Sequence, residues 1–160
     1  MLIWPENASA LEAKTLERFS RSATREYPIM EAFEASLSLD PWHLRGLRRE
    51  LAAWLERASV ADEICEAIIL ATHEAAANAI EHADPGTEVT VKGVRADNKL
   101  MVMVTNSGEW KDAQAAADGL RGRGMAIMKA LMSEVDVQVK SRRTVVRMRR
   151  DLSETPATAV

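Results

Sequence analysis

From Phe33 to Leu39 apolar and polar residues alternate, the period of a half-buried strand. Asp40-Pro41 follows, an N-cap with proline at the first helical position. Leu44, Leu47, Leu51, Trp54 and Leu55 then recur at three- and four-residue spacing, which predicts an amphipathic helix to about Arg57, broken near Ser59. A second helix is predicted from Asp62 to His82 on the spacing of Ile64, Ile68, Ala71, Ala75 and Ile80. Its many alanines imply burial on several sides, and Pro85-Gly86 marks its end. Two strands, 88–95 and 99–105, flank Asp97-Asn98, a dipeptide suited to a tight turn. Residues 106–121 hold no period and two glycines, and read as a mobile loop. Gly122-Arg-Gly124 opens a third helix over residues 125–132, and strands 135–139 and 144–148 close the pattern as a hairpin around Ser141-Arg142-Arg143.

The order β-α-α-β-β-loop-α-β-β, with strands joined mainly as hairpins, predicts an α+β fold: a two-layer α/β sandwich. Its sheet is mixed and mostly antiparallel, with the helices on one face. The compact domain spans 33–150. Residues 1–32 read as an N-terminal extension or linker, in which Leu11 to Arg25 sets Glu12, Lys14, Glu17, Arg18 and Arg21 around Leu11, Leu16 and Phe19, a plausible exposed helix stopped near Tyr27-Pro28. Residues 151–160 read as a disordered tail. With 47% apolar and 28% charged residues the chain has the balance of a globular domain. The net charge of -3 gives no general pull toward nucleic acid or anionic lipid, and neither a secretory start nor a membrane-length apolar run is present, so the expected location is cytoplasmic. The single cysteine, Cys65, lies in an apolar run and reads as a core residue.

Three segments can carry chemistry. In His73-Glu-Ala-Ala-Ala-Asn78-Ala-Ile-Glu-His82-Ala, Glu74 and Asn78 are four apart and share a helix face. A carboxylate beside an amide oxygen can hold a hydrated divalent ion and polarise a hydroxyl. A polar pair on a solvated helix face is commoner, but the alanines and Ile80 around this one sharpen it. In Val102-Met-Val-Thr-Asn106-Ser-Gly108 a strand runs into a glycine, either an ordinary turn or a place where backbone approaches a planar ligand. In Leu120-Arg-Gly-Arg-Gly-Met125, two glycines at a helix start expose amide donors and the positive end of the helix dipole. That is a phosphate seat, with Arg121 and Arg123 adding charge. Met125, Met128, Leu131 and Met132 read as core packing rather than a binding stripe.

In order and spacing these segments resemble the GHKL (Bergerat-fold) ATPase superfamily, most closely the anti-sigma-factor serine/threonine kinases that act on STAS-domain antagonists. The resemblance covers roughly residues 33–150. It implies ATP and Mg²⁺ as ligands, Glu74 as the general base and Asn78 as the magnesium ligand. Gly122, Arg123, Gly124 and Met125 would serve the phosphates and the lid hinge, Asn106 and Gly108 the adenine box, and Thr144 would help hold the adenine. It implies as partners a STAS-domain anti-anti-sigma factor, a sigma factor and a homodimer mate. The chain departs from the pattern in three places. Asn106-Ser-Gly108-Glu-Trp110 stands for the usual Asp-x-Gly-x-Gly, which costs the adenine box a charge and a glycine, and Arg143 stands where a glycine often precedes the late threonine. A Gly-x-Trp box with a short lid is similar to kinase-like domains attached to PPM-type phosphatases, which would make residues 1–32 a linker remnant. A non-catalytic partner-binding module with a degenerate pocket is the alternative. A histidine-kinase ATPase domain is a third reading, disfavoured because no dimerising helix with a phosphoacceptor histidine precedes the pocket.

Overall fold

A computed structural model describes residues 31–108 and 123–153. Its elements follow the order β1 (Glu31–Leu37), α1 (His43–Arg57), α2 (Asp62–His82), β2 (Val89–Ala96), β3 (Lys99–Ser107), α3 (Arg123–Leu131), β4 (Glu134–Lys140) and β5 (Arg143–Asp151). The five strands form one sheet in the order β1-β2-β3-β5-β4, antiparallel at every pairing. The helices pack on one face, so the predicted α+β sandwich is the observed fold, with an all-antiparallel sheet among the described residues.

The core lies between the layers. Phe33, Val89, Val91, Val102, Val104, Val146 and Met148 point from the sheet toward Leu47, Leu51, Trp54, Ile68, Ala71, Ala75 and Met128 of the helices. The small side chains of α2 let that helix sit close to both sheet and neighbours, as its alanine content implied. Met128 and Met132 are buried and Met125 and Leu131 half-buried against the same core, so the methionine stripe is packing. Cys65 is half-buried there too, its thiol donating to the Val60 carbonyl at 3.4 Å.

Boundaries shift where tertiary contacts override local signals. The first helix starts at His43 rather than directly at Pro41. Asp40 does cap the chain, its side chain accepting from Trp42 N at 3.0 Å, but it closes a preliminary turn one step ahead of the helix. Its end is a Schellman motif: Ser59 adopts φ 53°, Ser59 N donates to Glu56 O at 2.9 Å and Val60 N to Leu55 O at 3.1 Å. The strand expected at 99–105 continues to Ser107, because β5 pairs it through Asn106↔Thr144 and Ser107↔Arg143. The last strand likewise reaches Asp151, and Leu152 N donates to Asn98 O at 2.7 Å.

Gly93 sits on the helix-facing side of β2 beneath the Trp54 indole, which is fully buried and meets the Phe33 ring tilted by 35°, with centroids 5.5 Å apart. A methyl group at residue 93 would lie 2.8 Å from Trp54 Cη2, whereas at Gly46, on α1, it would meet nothing within 4 Å. Gly93→Ala is therefore expected to lower unfolding free energy by about 1–3 kcal/mol through overpacking. Gly46→Ala is expected to raise it by about 0.5–1 kcal/mol through helix propensity. Urea denaturation of the two variants measures both signs.

Candidate functional site

Two clusters form along α2. The first is at mid-helix. Glu74 and Asn78 project from one face, one turn apart, and are half-buried where α3 packs on α2. Gly124 lies in the first turn of α3, which begins two residues earlier than the periodicity suggested. It is buried against that pair: a methyl group there would stand 3.0 Å from Asn78 Nδ2 and 3.3 Å from Glu74 Oε2. Only the missing Cβ lets the first turn of α3 come this close. The arrangement brings a carboxylate, a carboxamide and the amides of a helix start to one place. Arg123, one residue earlier, is exposed.

The second cluster is at the C-terminal end of α2, where β3 arrives. Gly108 has φ 150°, and a Cβ there would collide with the His82 carbonyl, so this glycine is needed for both conformation and space. Polar contacts pin the strand end. Gly108 N donates to Arg142 O at 2.7 Å, Asp84 N to Ser107 O at 2.6 Å, and the buried Thr144 hydroxyl to Gly108 O at 3.2 Å. Asn106 is 4% exposed, on the helix-facing side and level with Thr144 on the neighbouring strand. Because the Thr144 hydrogen is engaged by Gly108, its oxygen keeps lone pairs to accept from a ligand.

Of the residues singled out in the sequence, Glu74, Asn78 and Gly124 thus meet at one end, and Asn106, Gly108 and Thr144 at the other. Met125 belongs to the core side of α3. Gly122, Arg121 and Trp110 lie outside the described residues, as does most of the loop expected over 106–121. His82 contributes its main chain, crowding Gly108. Spacing along α2 puts the two clusters about 6–12 Å apart along the helix axis.

Two contributors escaped the sequence reading. Arg142 bonds Asp84 through Nη2 at 2.7 Å and supplies the carbonyl that holds Gly108. It also occupies, with Ser141, a two-residue hairpin loop in which both residues have positive φ, 52° and 60°. That is the type I′ geometry usually given to Asn-Gly, and in Ser-Arg it persists because the flanking contacts hold it. Asp84 opens the Asp-Pro-Gly-Thr turn, its carbonyl accepting from Thr87 N and Oγ1 at 3.2 and 2.7 Å; an Asp-Pro-Gly run just before a strand was the available signal. Beside Glu74, burial pushes the His73 imidazole pKa below its usual value, helped by Arg48 and opposed by Glu74 itself. The shift favours the neutral imidazole beside the carboxylate.

Residues 37–150 match the family model described as Histidine kinase-like ATPase domain, and the chain belongs to that family of ATP-binding domains. The structure of the RsbU and RsbW domains of Rv1364c from Mycobacterium tuberculosis is similar, at TM-score 0.64 and 20% identity, over 82% of this chain and 35% of that one. This chain therefore spans about a third of that chain's length. The SiaB–SiaC complex from Pseudomonas aeruginosa is also similar, at TM-score 0.58 and 18% identity, over 88% of this chain and 99% of that one. At these identities the likeness is one of fold. A search of curated proteins gave no match. Among the described residues no helix is long and apolar enough to cross a membrane, and no three His, Cys, Asp or Glu side chains gather as a metal cage.

Gly108→Ala is expected to destabilise the domain by about 1–3 kcal/mol from backbone strain alone, with the His82 clash in addition. Ser107→Ala, at the exposed position before it, should stay within about 0.5 kcal/mol. Thermal melts of the two variants side by side test whether the strand end is held by sterics at the glycine.

Proposed function

We propose that this domain is an ATP-dependent serine/threonine protein kinase of the anti-sigma type, acting on a hydroxyl of a STAS-domain anti-anti-sigma factor and alternately holding a sigma factor. The observation that carries the reading is the seating of Gly124 against Asn78 and Glu74. It brings helix-start amides, the Asn78 carboxamide and the Glu74 carboxylate around one point, the kinds of group that phosphoryl transfer requires. The second cluster lies within a nucleotide's length of the first along α2, so the adenine falls by Asn106, Gly108 and Thr144, and the phosphates fall by Gly122, Arg123 and Gly124 with Met125 backing the hinge.

The donor set suits magnesium. One amide oxygen and one nearby carboxylate are too few for an all-protein cage, but Mg²⁺ keeps several waters and shares the phosphate oxygens. When bound, Mg-ATP supplies the phosphoryl group and neutralises its charge. The chain's own groups position it: Asn78 orients the metal, the α3 amides receive the phosphate oxygens, and Glu74 takes the proton of the attacking Ser or Thr hydroxyl. As that oxygen bonds to the γ-phosphorus, the bond to the ADP oxygen breaks and ADP leaves. A new phosphate of about -2 charge on the antagonist would then weaken its interface by repulsion and desolvation. That similar folds occur beside an RsbU domain and in the SiaB–SiaC complex supports a domain that works on protein partners. The location that goes with this role is cytoplasmic.

Two experiments address the assignment. Asn78→Ala should abolish magnesium-dependent ATP binding with the fold nearly intact. Glu74→Gln should spare binding yet lower phosphoryl transfer by about 10²–10⁴-fold. Calorimetry and a transfer assay with a STAS-domain protein separate the two, and unaltered Mg-ATP binding by Asn78→Ala would remove the metal role.

Asn106 offers a third test. In place of aspartate it gives the adenine amino group a neutral hydrogen bond, weaker by on the order of 1 kcal/mol than a charge-assisted one. Asn106→Asp should therefore tighten ATP several-fold while barely affecting a nucleotide without the exocyclic amine. No change with either nucleotide would place Asn106 outside the adenine pocket and favour a non-catalytic binding module.

A further inference from the structure

β4 forms one border of the sheet, and among the described residues nothing pairs with its outer edge. The register decides which backbone groups face that edge. Gly108 N donates to Arg142 O, so even-numbered residues of β5 turn their backbone groups toward β3 and odd-numbered ones toward β4. The β4 partners of those odd residues are Glu134, Asp136, Gln138 and Lys140. The N–H and C=O groups of Val135, Val137 and Val139 therefore point outward, away from the sheet. Proteins usually guard such an edge with proline, a bulge, a very short strand or charge. β4 is seven residues of regular ladder without proline. Its carboxylates lean back onto β5, Glu134 on Arg149 at 2.8 Å and Asp136 on Arg147 at 3.1 Å. On the helix-facing side Val135 and Val137 are half-buried against the core, while Val139 is 53% exposed.

We propose that β4 is a homodimer edge, pairing antiparallel with β4 of a second copy about a two-fold axis at Val137. The strand Glu-Val-Asp-Val-Gln-Val-Lys is self-complementary in that register. Val137 meets itself, Val135 meets Val139, Asp136 meets Gln138, and Glu134 meets Lys140. The outward N–H and C=O groups of all three valines find partners, because only residues with outward backbones then form the hydrogen-bonded pairs. Glu134 and Lys140, both exposed in the single chain, fall at a non-hydrogen-bonded pair, where side chains stand closest. On the helix-facing side the valines of the two strands make one apolar strip that covers Val139. Other registers are worse. An axis at Asp136 sets that carboxylate against itself, and one at Gln138 leaves Val135 opposite the turn at Ser141. The other border of the sheet has no such register: β1 centred on Glu34, whose backbone faces outward by the same count, sets Glu34 against itself and Leu37 against Glu31. Two five-stranded sheets thus become one continuous sheet with both helix layers on the same side, and the isologous contact closes at two copies. The dimer requires no nucleotide and no catalysis, so it stands apart from the kinase reading.

Sedimentation equilibrium of the full chain over a concentration series measures the dissociation constant. One strand pair buries less surface than a tight interface does, so the parent is expected to be a concentration-dependent dimer. Lys140→Glu puts like charges opposite each other at both ends of the seam and should raise the constant about tenfold. Glu134→Lys/Lys140→Glu restores opposite charges and should bring it back toward the parent value. Val139→Pro removes an outward-facing N–H that the single chain's ladder does not use, a change that edge strands tolerate. It should raise the constant by about tenfold or more. If a thermal melt shows that variant unfolded, the charge exchange decides, since both of its positions are exposed. A parent that stays monomeric at its highest soluble concentration would overturn the proposal. So would a dimer indifferent to Lys140→Glu, or one that the double variant fails to restore, because either result places the interface elsewhere.

Discussion

The first turn of α3 touches α2 through a backbone that has no side chain, and the rest of the site depends on that approach. A Cβ on Gly124 would stand about 3 Å from the ends of Asn78 and Glu74, so its absence lets the first turn of α3 meet a polar pair of α2 and not only an apolar face. Close helix packing normally demands small residues on both sides. Here α2 supplies them as alanines at 71, 75, 76 and 79, which are buried, while leaving Glu74 and Asn78 only half-buried between them. The polar pair is thus held in a low-dielectric setting without being sealed, a condition under which a charge and an amide retain strength toward a ligand.

The opposite end of the site is built by tension rather than by close packing. The β4–β5 turn keeps two non-glycine residues at positive φ, a conformation of order 1–3 kcal/mol above ordinary turns for each. What holds it is the Arg142–Asp84 ion pair, partly exposed and worth little alone, together with the hydrogen bonds that tie Arg142, Asp84 and Thr144 to the end of β3. The result is that α2 and β3 end and β5 begins at one corner, with Asn106 and Thr144 level on adjacent strands. The segment that follows, 109–122, starts from this corner and rejoins the fold at the first cluster.

Most of the fold was legible in the sequence because hydrophobic period and burial agree: Leu44 to Leu55 and Ile64 to Ile80 bury as their spacing says, and α2 has its predicted limits. The element order was legible for the same reason. The boundaries that moved did so where partners, not propensity, decide them, as at Ser107 and Asp151, which are strand because β3 and β5 pair along their whole lengths. The meeting of Gly124 with Glu74 and Asn78 was legible only through the spacing of a familiar pattern. No local property of a glycine some forty-six residues downstream declares its neighbours. The roles of Arg142 and of the buried Lys92 and Arg147 were not legible at all. A charged residue in an alternating strand reads as solvent-facing, and here both side chains are buried.

The account's central claim is that the α2–α3 junction binds the phosphates of ATP with magnesium. Calorimetric titration of the domain with ATP, once with Mg²⁺ and once with the metal chelated, tests it most directly. Saturable one-site binding that weakens strongly on chelation is the expected result. Equal binding in both buffers, or no binding in either, would contradict it.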